Sequence, residues 1–373
     1  MDATTIGLGS MLGAGVFVAF APAAAAAGSG LLVSLLLAGF VAYCNARSSA
    51  RLAAMYPESG GTYVYGRERL GEWWGFTAGW GFVVGKIASC AAMGLTVGAY
   101  LAPGYEKAVA IAAVVVLTTI TYLGVTRTAA VTKVLLVVVL AVLIGFVAVG
   151  LPKAHWQPLT WDTLGVLRAA GLLFFAFAGY ARIATLGEEV KDPRRTIPRA
   201  IIIALSVALV IYLAVGATAL GVLGPERLAA STAPLAEVLP AATIGVGAGA
   251  LGALLALIAG VSRTTLAMAR RRDLPGALAD VHRAEIAVAI VVCGLVLALD
   301  VRGAIGFSSF GVLVYYAIAN LSASTLDGRK WTSVAGLVGC VVLAGSLPLT
   351  SVLVGLAVFA VGLGGRWLLR RLR

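Results

Sequence analysis

Residues 6–17 read IGLGSMLGAGVF. The stretch lies in an apolar run where a helix is expected, yet it holds Gly7, Gly9, Gly13 and Gly15. Each glycine in a helix interior costs about 0.5–1 kcal/mol relative to alanine. So many weak points in so short a run have two explanations. Small residues let helices pack closely, or the helix is interrupted. An interruption at bilayer depth frees N–H and C=O groups that lipid cannot satisfy, so it survives only where protein, ligand or water takes over their hydrogen bonds. For Gly13-Ala14-Gly15 alone, both explanations are open.

The composition decides the solvent. The chain has 373 residues, 61% hydrophobic and 12% charged, with a mean hydropathy of +1.00. So thin a charged shell cannot cover this much apolar surface in water, and the class is an all-α polytopic membrane protein. Runs such as Val109–Tyr122 lack the strict alternation of a transmembrane β-barrel. The net charge of +12 does not point to nucleic acid, because the cations fall in short loops between spans. The cysteines stand singly and no His/Cys cluster exists, so neither metal nor disulfide framework is implied. The N-terminus lacks the basic segment and cleavage site of a signal peptide.

A span needs roughly 17–25 apolar residues. Twelve are expected: 3–27, 30–54, 73–102, 106–124, 130–150, 164–187, 200–222, 242–268, 285–300, 303–323, 332–348 and 350–367. The longest polar connections are 56–72, 187–199 and 269–284. With the N-terminus inside, 21 lysines and arginines face the cytoplasm and 5 face the other side. This positive-inside bias places both termini in the cytoplasm and supports the span count. Span one begins almost at Met1, so either the cytoplasmic lead-in is short or the recorded start is late.

A second interruption signal is FFAFAGYARIATLGEEVKDPRRTIPRA, 174–200. It carries Gly179-Tyr180 mid-span and ends in a polar tract where Pro193 and Pro198 mark the next helix start. Interrupted spans one and six are the expected sign of an inverted five-plus-five repeat, the arrangement in which transporters bind substrate at helix breaks. The expected organisation is a ten-helix core over 1–325, with repeats 1–150 and 164–325, and two added helices over 326–373.

These stretches resemble the amino acid–polyamine–organocation superfamily of permeases. The resemblance is carried by IGLGSMLGAGVF, by YPESGGTYVYGRERLGEWWGFTAGW (56–80), by 174–201, by SRTTLAMARRRDLPGALADVH (262–282) and by FSSFGVLVYYAIANLSA in span ten. It implies a secondary transporter of amino acids or related amines in the cytoplasmic membrane, without a cofactor and not an enzyme. It also implies that backbone N–H groups at Gly13, Ala14 and Gly15 hold the substrate carboxylate, with Ser10 and Met11 just before. Carbonyls of Phe174, Ala176 and Phe177 would hold the α-amino group beside Gly179, and Tyr180 would close over the substrate. Tyr180 is otherwise a packed core aromatic.

The sequence departs from the family pattern after that aromatic. An acidic residue is often found there, whereas this chain has Ala181 and then Arg182. Arg182 either disfavours cationic substrates by like-charge repulsion or pairs with Glu188. Lys86 is the lone charge of span three. A cation at that depth faces a cavity or a partner, unless it snorkels to the interface. A desolvated lysine can also exchange its proton near neutral pH, so Lys86 is the candidate for proton coupling. Some relatives place a lysine in span five. Lys133 sits at that span's start and reads as a topology charge, while the matching depth falls near Val139. Ser262, Thr264 and Thr265 either offer oxygens to sodium or bond their own backbone. The tracts 188–199 and 270–283 are an inner gate or solvated charge runs.

GFVVGK at 81–86 resembles a phosphate-binding loop, but its glycine spacing is short and Ile87 stands where Ser or Thr is needed. Nothing suggests ATP or an intramembrane enzyme. The expectation is a proton-coupled amino acid transporter. An amino acid or polyamine exchanger is the alternative, and a non-transporting sensor is disfavoured because the chain has no room for a signalling domain.

Overall fold

A computed structural model describes residues 3–13, 15–56, 60–124, 129–159, 161–184, 190 and 192–371. Among these residues there is no strand. Helix is the expected result, since it satisfies the backbone within one segment and needs no neighbour to do so. Among the described residues nine helices are long and apolar enough to cross a bilayer, from Phe20–Met55 to Leu349–Leu368. The other expected spans are shorter helices: Ala3–Val18 in pieces, Glu106–Tyr122 and Trp331–Ser346. The protein is a multi-pass membrane protein.

Spans three (Glu72–Leu101) and ten (Val301–Ser324) lie at the centre of the bundle. Their backbones meet where a Cβ on Gly311 would stand 3.0 Å from the Gly85 Cα and from the Gly81 carbonyl. Outer spans instead present large apolar side chains such as Ile290, Leu353 and Val361, as a lipid solvent requires.

Two features depart from the expected boundaries. Within 56–72 a helix forms over Thr62–Leu70, between Gly61 and Gly71, both at positive φ. Arg67 and Arg69 in its last turn complement the helix dipole. The seventh helix runs Pro193–Ala230, well beyond residue 222. Its backbone leaves helical geometry at Gly224 (φ 72°, ψ 166°), just before Pro225, so the regular helix stops close to the expected end.

The charges separate to the two ends of the bundle. At one end Arg51 donates to the Asp327 and Arg329 carbonyls, and Arg69 to Thr325. At the other, Lys107 donates to the Leu297 carbonyl and Arg302 to that of Ala229. The first end also holds a buried ion pair. Arg366, from the last helix (Leu349–Arg371), lies 2.7 Å from Asp273 in the connection after span eight; both side chains are 1% exposed or less. Asp273 further accepts from the Tyr63 hydroxyl at 2.7 Å and from Arg67 at 3.4 Å. The Arg366 guanidinium lies over Trp73 and Phe76, 4.6 and 4.9 Å from their ring centres. Arg370 pairs with Glu72.

Removing one partner of a buried ion pair strands the other charge and costs about 3–5 kcal/mol. Arg366→Ala and Asp273→Ala should therefore each lower the melting temperature of the detergent-purified protein markedly. The double variant should lose less than the two together, and strict additivity in that cycle would show that the pair is not coupled.

Candidate functional site

Span one is helical over Ala3–Met11, leaves the helix at Leu12 and Gly13, and resumes over Gly15–Val18 and Phe20–Ala27. Ala14 lies outside the described residues. Span six runs Thr163–Phe177, tightens into a 3₁₀ turn over Ala178–Tyr180, and continues over Ala181–Ala184. The break of span one touches this turn of span six. A Cβ on Gly179 would fall 2.5 Å from the Ser10 carbonyl, and one on Gly15 would fall 2.6 Å from the Ala176 Cα. Only glycine allows either approach. Interruption and close packing, alternatives for the glycines of span one, are thus combined.

The carbonyls released by the breaks are claimed by side chains of unbroken spans. The Tyr212 hydroxyl of span seven lies 2.5 Å from the Met11 carbonyl and 2.9 Å from that of Ala176. It therefore links both breaks. The Tyr100 hydroxyl of span three donates to the Phe17 carbonyl at 2.7 Å. The Lys86 ammonium donates to the Ala178 carbonyl at 3.0 Å. Lys86 is 4% exposed; it turns into the bundle rather than snorkelling to the interface.

Beside these contacts lies a cavity of about 170 Å³. It runs from Ser10, Lys86, Ala178 and Gly179 to Gly60, Tyr63 and Arg263 at the end of the bundle that holds the Arg366–Asp273 pair. Of the residues expected at the site, Ser10, Gly179 and Lys86 line it. Met11, Gly13, Gly15, Phe174, Ala176, Phe177 and Tyr180 stand behind its walls. Gly13 abuts Ala253. Phe177 packs edge-on against Tyr212, while Phe174 and Tyr180 pack on Tyr316. The Arg182 side chain and Glu188 lie outside the described residues.

A second cavity shares Ser10, Ala253, Gly260 and Arg263 with the first and is lined by Val139, Ser262 and Glu285. Ser262 and Thr264 donate to the carbonyls of Ile258 and Gly260. Lys133 is exposed.

Phe82, Ser89 and Met93 also line the first cavity and were not expected there. With Lys86 they repeat at intervals of four, three and four residues, one stripe of the span-three helix, so the lysine identifies the facing surface. Tyr212 has no comparable signal: it is a lone tyrosine in an apolar run. No group of three His, Cys, Asp or Glu side chains able to hold a metal occurs among the described residues. The arrangement offers binding: backbone at two breaks, hydroxyls and a buried ammonium. Tyr212→Phe, which removes only the oxygen, should destabilise the purified protein by about 1–3 kcal/mol, the cost of an unsatisfied buried polar group. An unchanged melting temperature would show that water or other groups already serve the Met11 and Ala176 carbonyls.

The geometry agrees with what similar proteins indicate. A family model described as amino acid permease matches residues 1–338. The chain is 58% identical to an uncharacterized transporter of Mycobacterium tuberculosis, over 97% of this chain and 88% of that one. It is 30% identical to a branched-chain amino acid permease of Bacillus subtilis, over 75% and 68% of the two chains. It is 27% identical to a chloroplastic cationic amino acid transporter of Arabidopsis thaliana, over 86% and 63%. A broken span one that meets a 3₁₀ turn of span six beside a cavity is thus found in a chain that belongs to the amino acid permease family, within the amino acid–polyamine–organocation superfamily.

Proposed function

We propose that the protein is a secondary active transporter of amino acids in the cytoplasmic membrane, working by alternating access with the proton as coupling ion. The observation that carries this reading is the contact of the span-one break with the 3₁₀ turn of span six, beside a cavity lined at one end of the bundle by Tyr63 and Arg263. The strongly basic end is the cytoplasmic one by the positive-inside rule, so both termini are cytoplasmic and the cavity faces inward. The five-plus-five repeat over 1–325 and the added pair over 326–373 belong to the same reading. Breaks in its first and sixth spans are where such a repeat presents backbone to a ligand.

In this reading the substrate carboxylate meets the N–H groups of Gly13, Ala14 and Gly15; the helix resumes at Gly15, and the first N–H groups of a helix have no intrahelical acceptors. Phe174, Ala176 and Phe177 contribute carbonyls when the breaks part, and Tyr180 swings from its Tyr316 contact to cover the substrate. Lys86 is the proton carrier. Hydration of the cavity changes the solvation of its ammonium, which ties its protonation to the opening of the bundle. The relatives' names specify branched-chain amino acids in one case and cationic ones in another, so they do not select a substrate.

Uptake of a labelled amino-acid panel into proteoliposomes, with and without an inward proton gradient, tests the coupling. Accumulation that requires the gradient is expected, and Lys86→Met should abolish it while leaving counterflow at saturating substrate in place. Uptake that depends on preloaded amino acid or amine and ignores pH would replace symport by exchange.

A further inference from the structure

The charge of the cavity lining has a consequence for the substrate. Among the described residues the lining carries two cations, Lys86 and Arg263, and no carboxylate. Lys86 sits at the enclosed end, 4% exposed, and Arg263 is exposed at the mouth. A further cation, Arg271, lies over the Tyr63 ring at 5.7 Å from its centre. The acid that Tyr63 contacts, Asp273, does not offset them, because it is buried against Arg366 and Arg67. The described lining of this cavity thus carries a cation at its floor and another at its mouth, while Glu285 lines the neighbouring cavity that shares Arg263; low-dielectric walls strengthen the field of such charges.

Lys86 itself is incompletely used. An ammonium has three N–H donors, and among the described residues one of them goes to the Ala178 carbonyl. The remaining donors lie at the cavity with Ser10 and Ser89 close by on its wall. A ligand ammonium entering here would meet like charge and would compete with Lys86 for the one carbonyl it holds. A ligand carboxylate would find a desolvated cation, and charge-assisted hydrogen bonds of that kind are the stronger class. The volume, about 170 Å³, lies below the range of roughly 300–1,000 Å³ typical of sites for drug-sized ligands, which fits a small metabolite.

From these observations we infer that Lys86 and Arg263 form an anion path, and that the transported substrate carries a second negative group: an acidic amino acid, whose side-chain carboxylate is held by Lys86. This rests on the permease reading above and adds the substrate class to it. It also gives Lys86 a consistent role, since the protonated form holds the anion and the proton travels with it.

The test uses the full-length protein in proteoliposomes, with glutamate, aspartate, leucine and lysine as labelled substrates and as competitors. Glutamate or aspartate should compete at least about tenfold better than lysine. Lys86→Gln should raise the KM for the acidic substrate by a similar factor and remove the discrimination against lysine, while Lys86→Arg should keep the preference. Arg263→Gln changes an exposed residue and so decides the matter if Lys86→Gln does not fold. It should raise the KM at low salt, and the difference from wild type should shrink at high salt as screening sets in. Preferential uptake of lysine or of leucine by the wild-type protein would overturn the anion path and leave the permease reading standing. An acidic preference that survives both Lys86→Gln and Arg263→Gln would equally overturn it. Failure to move any amino acid, in uptake or in counterflow, would overturn the permease reading itself.

Discussion

A helix that breaks inside a bilayer has to hand its carbonyls to something other than lipid, and this bundle is organised around that demand. Tyr212 takes the Met11 and Ala176 carbonyls, Tyr100 takes that of Phe17, and Lys86 takes that of Ala178. Each donor comes from span three or span seven, which remain unbroken at those points. The interruptions are therefore not loose segments. They are held at fixed places by straight neighbours, and the glycines at 15 and 179 let the two breaks press against each other. Because one hydroxyl serves both Met11 and Ala176, separating the breaks must leave one of those carbonyls to water. Opening and wetting of the site are then a single event.

What could be read from the sequence, and what could not, follows the same physics. The membrane class and the break in span one were legible, because bilayer thickness and the scarcity of charge leave few other readings; in span six the expected interruption is a 3₁₀ turn over Ala178–Tyr180. Lys86 stood out for the same reason: a single ammonium in an apolar run must have a destination. The destination itself was not legible, since a hydrogen bond to Ala178 joins residues far apart in the chain. Tyr212 was invisible because a tyrosine in a span is ordinary. The helix over Thr62–Leu70 was missed because its composition is polar and its limits are set by Gly61 and Gly71 rather than by an apolar face. The residues expected to touch substrate at the breaks mostly stand behind the cavity wall. The sequence marks where the backbone is irregular, but not which conformation of the bundle exposes it.

The ionic cluster at the basic end joins parts of the chain that the repeat reading treats separately. Arg366 belongs to the last helix, Asp273 to the connection after span eight, Arg67 and Tyr63 to the short helix after span two, and Glu72 to the start of span three. Trp73 and Phe76 close over the Arg366 guanidinium and limit its access to water. Such a pair does not by itself add much net stability. It specifies instead which surfaces meet, and one of those surfaces, at Tyr63, forms the cavity mouth.

That arrangement bears on how the chain can be shortened over evolutionary time. The helix over Leu349–Arg371 lies outside the ten-span core of the repeat reading. Yet a lineage that lost it would leave the buried Asp273 carboxylate with the partly exposed Arg67, at 3.4 Å, in place of its buried cation. Loss of residue 366 would therefore favour exchange of Asp273 for a neutral residue, since a buried charge that loses its partner is costly. The two positions, ninety-three residues apart, are tied by one buried contact.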